Sequence, residues 1–227
     1  MHVHKPKVAH SLREFLKEIG IIVIGVVIAL GLEQVVEQIH WANEVRKAHA
    51  SLNAEINHAN RHFAYRVAAE PCIARRLDAL EAVIEKTARR EPVPRLGPVI
   101  PDIGNAFGDN AWQAHRASQT LTHFGDKDFA ILNGYYLQLG NVRNMIGAET
   151  STWEVLKVLQ GDPARLGPVD IAGLRVAIQQ ARFDNELIAG IAADELDYSR
   201  TMGLAAPAPD AARLKEVCAP LPTVRAS

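Results

Sequence analysis

The 227-residue chain is long enough for one domain, or for one domain plus a long helical extension, with a sizeable core. It is 48% hydrophobic but only 6% aromatic, with Ala and Leu dominant, which is a helical composition. Residues 1–32 carry a formal +2 and leave −3 for residues 33–227, a weakly acidic body that argues against nucleic-acid binding and is not charged enough for disorder.

Taken in chain order, the first signal is a capping box of Ser11 and Glu14 just after Pro6, which starts a helix near Leu12. No proline follows until Pro71, so the helix has room for some 60 residues, as a stalk or as the longest member of a bundle. Ile19 to Leu32 are 14 uncharged residues. As a helix they span about 21 Å, short of the roughly 30 Å of a bilayer's hydrocarbon. Phe15, Leu16, Val35 and Val36 extend the run, and Lys17 can snorkel outward, whereas Glu33 points inward and needs water, a proton or a partner helix.

Three readings fit this stretch. A single span beginning in the cytoplasm agrees with the basic residues before it outnumbering Arg46 and Lys47 after it. A cleavable signal peptide would use the small residues around Ala29-Leu30-Gly31, although the helical pattern runs on without a mature start. A buried core helix would have to be apolar on every side. Gly25 and Ala29 form a small-xxx-small pair that lets membrane helices approach closely, and such residues are also common in spans that do not associate.

Ser11 to Glu37, SLREFLKEIGIIVIGVVIALGLEQVVE, resembles the opening of a group of bacterial single-span membrane proteins with a domain of unknown function. In that group a short basic lead and an LKEIGIIVIGVxIAL-like segment precede a helical exported domain. The resemblance implies an uncleaved anchor and a bacterial source, and it assigns no reaction and no functional residues.

Past the apolar run, Val35, Ala42, Val45, Leu52, Ile56, Ala59 and Phe63 form one seam at spacings of three and four, interrupted by Gln38, His49 and Arg66. The seam pairs with another copy or packs on later helices of the same chain. A second helix, Pro71 to Arg90, carries Ile73, Leu77, Leu80 and Ile84 on one side and either starts at its proline or continues the first helix across a kink. Glu91 to Asn110, with four prolines, reads as a loop. A third helix is expected over Ala111 to Phe124. A fourth follows Gly125-Asp126 and runs to Gln160 with a break at Gly140 or Gly147. A fifth runs from an Asp170 cap to Met202, and a short helix covers Asp210 to Cys218. Arg95-Leu96-Gly97-Pro98-Val99 recurs as Arg165-Leu166-Gly167-Pro168-Val169, either a duplicated unit or convergent loop chemistry; the flanks do not align.

The side chains most suggestive of chemistry are Glu55, His58 and His62, which share one helical face and contain half of a di-iron Glu-x-x-His pattern. The other Glu-x-x-His, Glu37 and His40, lies on the same helix about 27 Å away and cannot converge within one chain. A solvated polar face competes with a metal site shared between chains. His2, His4 and His10 at the N-terminus, and His115 and His123 near Asp126 and Asp128, are weaker sets. Trp112, Tyr135, Tyr136 and Trp153 line either a pocket or the core. The chain has no nucleophile-elbow, zincin or phosphate-loop motif, and no cofactor is implied. Cys72 and Cys218 both follow the apolar run; they either pair, closing a long loop, or stand as separate thiols, because sequence does not set their Cα distance.

The sequence therefore reads as all-α: a cytoplasmic lead over 1–11 and a long N-terminal transmembrane helix over 12–41. A periplasmic helical bundle follows over 42–203, with a Pro-rich loop at 91–110, and a Pro- and Ala-rich tail covers 204–227. The expected location is the bacterial inner membrane. Expected partners are the lipid bilayer and a second copy or an envelope protein, with no nucleic acid. A scaffold or accessory role leads; a periplasmic ligand-binding or sensor domain and a metal-dependent enzyme are the alternatives.

Overall fold

The computed structural model describes residues 11–101 and 107–224. The fold is all-α. Helix α1 spans Leu12–Ala88, α2 Asn110–Ala117, α3 Asp126–Leu156, α4 Pro168–Thr201 and α5 Ala211–Val217; two-residue strands β1 (Arg95–Leu96) and β2 (Thr223–Val224) pair antiparallel. The chain divides into two units, one ending at Ala48 and one beginning at His49.

In the first unit α1 is a helix whose side chains from 21 to 40 are all exposed. The stretch is long and apolar enough to cross a membrane, and none of it is buried within the chain. Ser11 starts the helix as expected: its Oγ accepts from the Glu14 N–H at 3.3 Å.

The second unit is a three-helix bundle. Glu55 meets Tyr136 and Arg66 meets Glu149, so α1 and α3 run in the same direction; Asn60 meets Ser199 and Glu85 meets Arg175, so α4 runs back along α1. The expected seam is realised within the chain from Leu52 onward, with Leu52, Ile56, Ala59 and Phe63 fully or nearly fully buried. Pro71 does not end α1. A proline inside a helix costs about 3 kcal/mol, but Ala69, Ile73 and Leu77 on either side are all fully buried in one cluster, which offsets that cost. Neither Gly140 nor Gly147 breaks α3, for the same reason: Leu139, Val142 and Trp153 around them are buried.

The expected third helix is cut short. It ends at Ala117, Gln119 takes a left-handed conformation with φ 60°, and a 3₁₀ turn follows over Thr120–His123. Helix α4 starts earlier than expected, because Gly167 is its cap and Pro168 its first residue. Asp170 sits one turn in and accepts from the Gly167 N–H at 2.8 Å, the return half of a capping box.

The Pro-rich segment and the tail are joined. Gly97 N–H donates to Pro222 O at 2.7 Å beside the β1–β2 pair, and a Cβ on Gly97 would stand 3.0 Å from the Pro222 ring, so any larger residue would require the tail to shift by a few tenths of an ångström. Asp210 caps α5 by accepting from Ala212 and Arg213, close to the expected limits of that helix, and Val217 is buried against the bundle. The two Arg-Leu-Gly-Pro-Val copies do different work. In the first, Leu96 and Val99 are buried, whereas Val169 of the second is exposed on α4.

Candidate functional site

The bundle carries its polar chemistry inside, in layers along α1. In the first layer Glu55 reaches across to the start of α2, where it accepts from the backbone N–H of Ala111 at 2.9 Å and of Trp112 at 3.3 Å. The Tyr136 hydroxyl donates to the same carboxylate at 2.8 Å. A carboxylate here meets the positive end of α2 and fixes that helix against the bundle. Burial, with the Glu55 carboxylate beside it, pushes the Tyr136 hydroxyl far above its ordinary value, so it remains a donor. Trp112 stacks on Tyr136 with ring centres 4.6 Å apart.

The second layer joins all three helices. Asn60 donates to Ser199 Oγ at 2.9 Å and accepts from the Tyr135 hydroxyl at 3.2 Å. Glu195, one turn before Ser199, is 7% exposed, and its Oε2 has no hydrogen-bond partner among the described residues. Burial first, and then the charge of Asp194, push this carboxyl up to about 7.

The third layer is an ion pair in the core. Arg66 Nη2 donates to Glu149 Oε1 and, at 3.2 Å, to Asn185 Oδ1; the Asn185 amide in turn donates to the Glu70 carbonyl at 3.1 Å. Arg66 is 3% exposed and Glu149 is fully buried. Burial raises the Glu149 carboxyl above its ordinary value, while Arg66 and Trp153 act in the opposite sense. Arg66 Nε and Nη1 and Glu149 Oε2 make no hydrogen bond among the described residues, so the pair is only partly satisfied.

Further along α1, Arg76 bridges the Pro-rich segment and the tail: its guanidinium donates to the carbonyls of Val99 at 3.4 Å and Ala219 at 3.3 Å. One turn earlier Cys72 is bonded to Cys218, with Cα atoms 4.7 Å apart, inside the range a disulfide requires. Arg213 lies 4.3 Å above the Tyr65 ring. These contacts clasp α5 onto α1.

The expected metal set does not assemble. Glu55 is committed to α2 and Tyr136, His58 accepts from Arg61 at 2.9 Å, and the His62 ring packs against Phe107 and His58. Among the described residues no group of three or more His, Cys, Asp or Glu side chains is placed to hold a metal ion. His115 pairs with Ser51 at 2.8 Å, and Asp128 faces His49 at 3.9 Å. His2, His4 and His10 lie outside the described residues. Trp112, Tyr135, Tyr136 and Trp153 are core residues, each at most 5% exposed. Gly25 and Ala29 are exposed on the first unit.

Sequence reasoning missed Glu149 and Glu195. Both were legible as charges on apolar stripes: Glu149 lies between Val142 and Trp153, and Glu195 between Ala192 and Ser199, all buried positions three, four or seven residues apart. A cleft of about 770 Å³ opens at the far end of the bundle, lined by Arg90, Glu91, Pro92, Leu166 and Arg175 among others. Its charge is mixed, and Arg175 is already held by both oxygens of Glu85. Comparison with protein-family models, with curated proteins and with solved structures finds no match to this chain.

Proposed function

We propose that this chain is a membrane-anchored helical protein of the bacterial envelope, with one span near its N-terminus and its bundle in the periplasm, acting as a scaffold or accessory subunit. The observation that carries the reading is an apolar run of α1 on which no side chain is covered by the rest of the chain. In water such a surface is unstable, and a bilayer supplies the missing cover. The flanks agree: Arg13 and Lys17 precede the run, and Trp41 follows it as a residue suited to the interface. The Cys72–Cys218 bond supports an oxidising compartment for the bundle. The resemblance of Ser11–Glu37 to bacterial single-span proteins points the same way.

The interior supports a scaffold over an enzyme. Glu55 caps a helix and Glu149 pairs with Arg66 inside the core, where a substrate has no access. The test is a reporter active only in the periplasm, fused to the C-terminus and expressed with and without residues 1–32, with cell fractionation. Activity that requires residues 1–32, together with full-length protein in the membrane fraction, is the expected result. Full-length protein soluble in the cytoplasm refutes the reading.

A further inference from the structure

The bond between Cys72 and Cys218 joins two sulfurs in unlike surroundings. Cys72 lies within α1 and is 7% exposed, whereas Cys218 closes α5 and is exposed. Arg75, one turn further along α1 and itself exposed, donates from Nη2 to the Cys72 sulfur at 3.1 Å. A disulfide sulfur is a weak acceptor and a thiolate a strong one. The guanidinium therefore gains most when the bond breaks and negative charge settles on Cys72. A charge on Cys218 would instead meet the last carbonyls of α5, the unfavourable end of a helix for an anion.

We propose that this disulfide is an exchange site for a dithiol reductant, entered at Cys218 and opened by the departure of Cys72. One thiolate of the reductant attacks Cys218 Sγ and forms a mixed disulfide there. The Cys72–Cys218 bond breaks, and its electron pair leaves on Cys72 as a thiolate beside Arg75. The second thiolate of the reductant then attacks the reductant's own sulfur in the mixed disulfide, and Cys218 departs in turn. Two electrons pass from the dithiol to the chain, the dithiol's two protons end on Cys72 and Cys218, and the reductant is left as a disulfide.

Exchange is faster when the attacked sulfur is accessible and when the departing thiol has the lower pKa. A neighbouring arginine lowers a thiol's pKa. Exposure selects Cys218 for attack, and the guanidinium selects Cys72 for departure, so both favour the same direction. The bond also governs a segment with few other ties. Helix α5 has seven residues, too short to persist alone. Beyond the disulfide, the Arg76 bond to Ala219 O, Arg213 over the Tyr65 ring and the two-residue strand pair hold it and the tail. Exchange at Cys218 therefore acts on the clasp between α5 and α1, and the Cα spacing of 4.7 Å lets Cys72 restore the bond.

The test uses the full-length chain purified in mild detergent without reductant. A brief exposure to reduced glutathione near neutral pH is quenched in acid, and free thiols are alkylated before peptide mass spectrometry. Glutathione on Cys218 with the alkyl group on Cys72 should exceed the reverse pattern several-fold. The rate of opening by dithiothreitol should fall several-fold in Arg75→Gln and stay close to the parent's in Arg75→Lys. A substitution that merely loosened the clasp would speed the opening, so a slower rate separates stabilisation of the leaving thiolate from a structural effect. Glutathione on Cys72 as often as on Cys218, a bond that opens only after urea is added, or an Arg75→Gln rate equal to or above the parent's refutes the proposal. Chain whose two cysteines both alkylate before glutathione is added has no bond to exchange and refutes it too. These readouts do not depend on where the chain resides, so they leave the membrane reading to its own test.

Discussion

Replacing Glu195 by glutamine should change how the stability of the bundle depends on pH. The carboxyl is buried, its Oε2 is unpartnered among the described residues, and it is pushed from an ordinary value of 4.5 to about 7. At about 1.4 kcal/mol per pH unit, a displacement of this size corresponds to about 3 kcal/mol of destabilisation in the ionised form. The sign follows from proton counting. Below the ordinary value both folded and unfolded chains carry a neutral carboxyl, and burial costs no ionisation energy. Between that value and about 7 the folded chain holds a proton that the unfolded chain has released, so stability falls as pH rises. Above about 7 both forms are ionised and the deficit is constant. A glutamine side chain cannot ionise, so the E195Q variant should match the parent near pH 4 and exceed it at pH 8. The gain should be about 1–3 kcal/mol, the lower end reflecting an amide donor of its own to satisfy. Urea unfolding of the full chain in mild detergent, followed by far-ultraviolet circular dichroism from pH 4 to 8, gives the difference. Comparing variant with parent cancels the histidines, which titrate in both. A variant whose stability advantage is the same at every pH refutes the assignment of Glu195 as a buried titrating group.

Two further outcomes follow from the clasp and the ion pair. Cys218→Ser opens a loop of sequence separation 146, which chain entropy values at about 5 kcal/mol; urea unfolding should register much of that loss, with α5 and the tail becoming the first segments cut in limited proteolysis. Arg66→Met leaves Glu149 buried without its cation and should destabilise by about 3–5 kcal/mol. Adding Glu149→Leu should recover most of that loss, and a double variant no more stable than Arg66→Met in the same urea assay contradicts the partnership.

Periodicity made much of the fold legible. Leu52, Ile56, Ala59 and Phe63, then Ile73, Leu77, Leu80 and Ile84, lie on the face they were expected to bury. The capping signal at Ser11 acts where the sequence places it. The misses have physical causes. Pro71, Gly140 and Gly147 are locally unfavourable in a helix, and burial on both sides outweighs them. The end of α2 turns on the left-handed Gln119, a residue with no local preference for that conformation. Glu55 looked like a ligand because its neighbours are histidines. Its actual partners, Ala111, Trp112 and Tyr136, are more than 50 residues away in sequence, and nothing local announces a carboxylate that caps a distant helix.

The polar layers also bear on how a bundle of small residues holds its alignment. Helices rich in Ala and Leu can slide by a turn and still bury similar apolar area, so apolar packing alone fixes register weakly. Here a slide of α4 by one turn would part Asn60 from Ser199 and Arg66 from Asn185 together, and a slide of α3 would strand Glu149 without its arginine. Each loss leaves a buried polar group uncompensated, at a cost of about 1–3 kcal/mol or more. The surface pairs of Arg182 with Asp78 and Glu81, and of Arg175 with Glu85, repeat the same alignment in the half of the bundle whose interior is apolar. They are exposed and individually weak, so the interior layers set the register and the surface pairs follow it. For a protein whose proposed task is to present helical surfaces, alignment of those helices is the functional property.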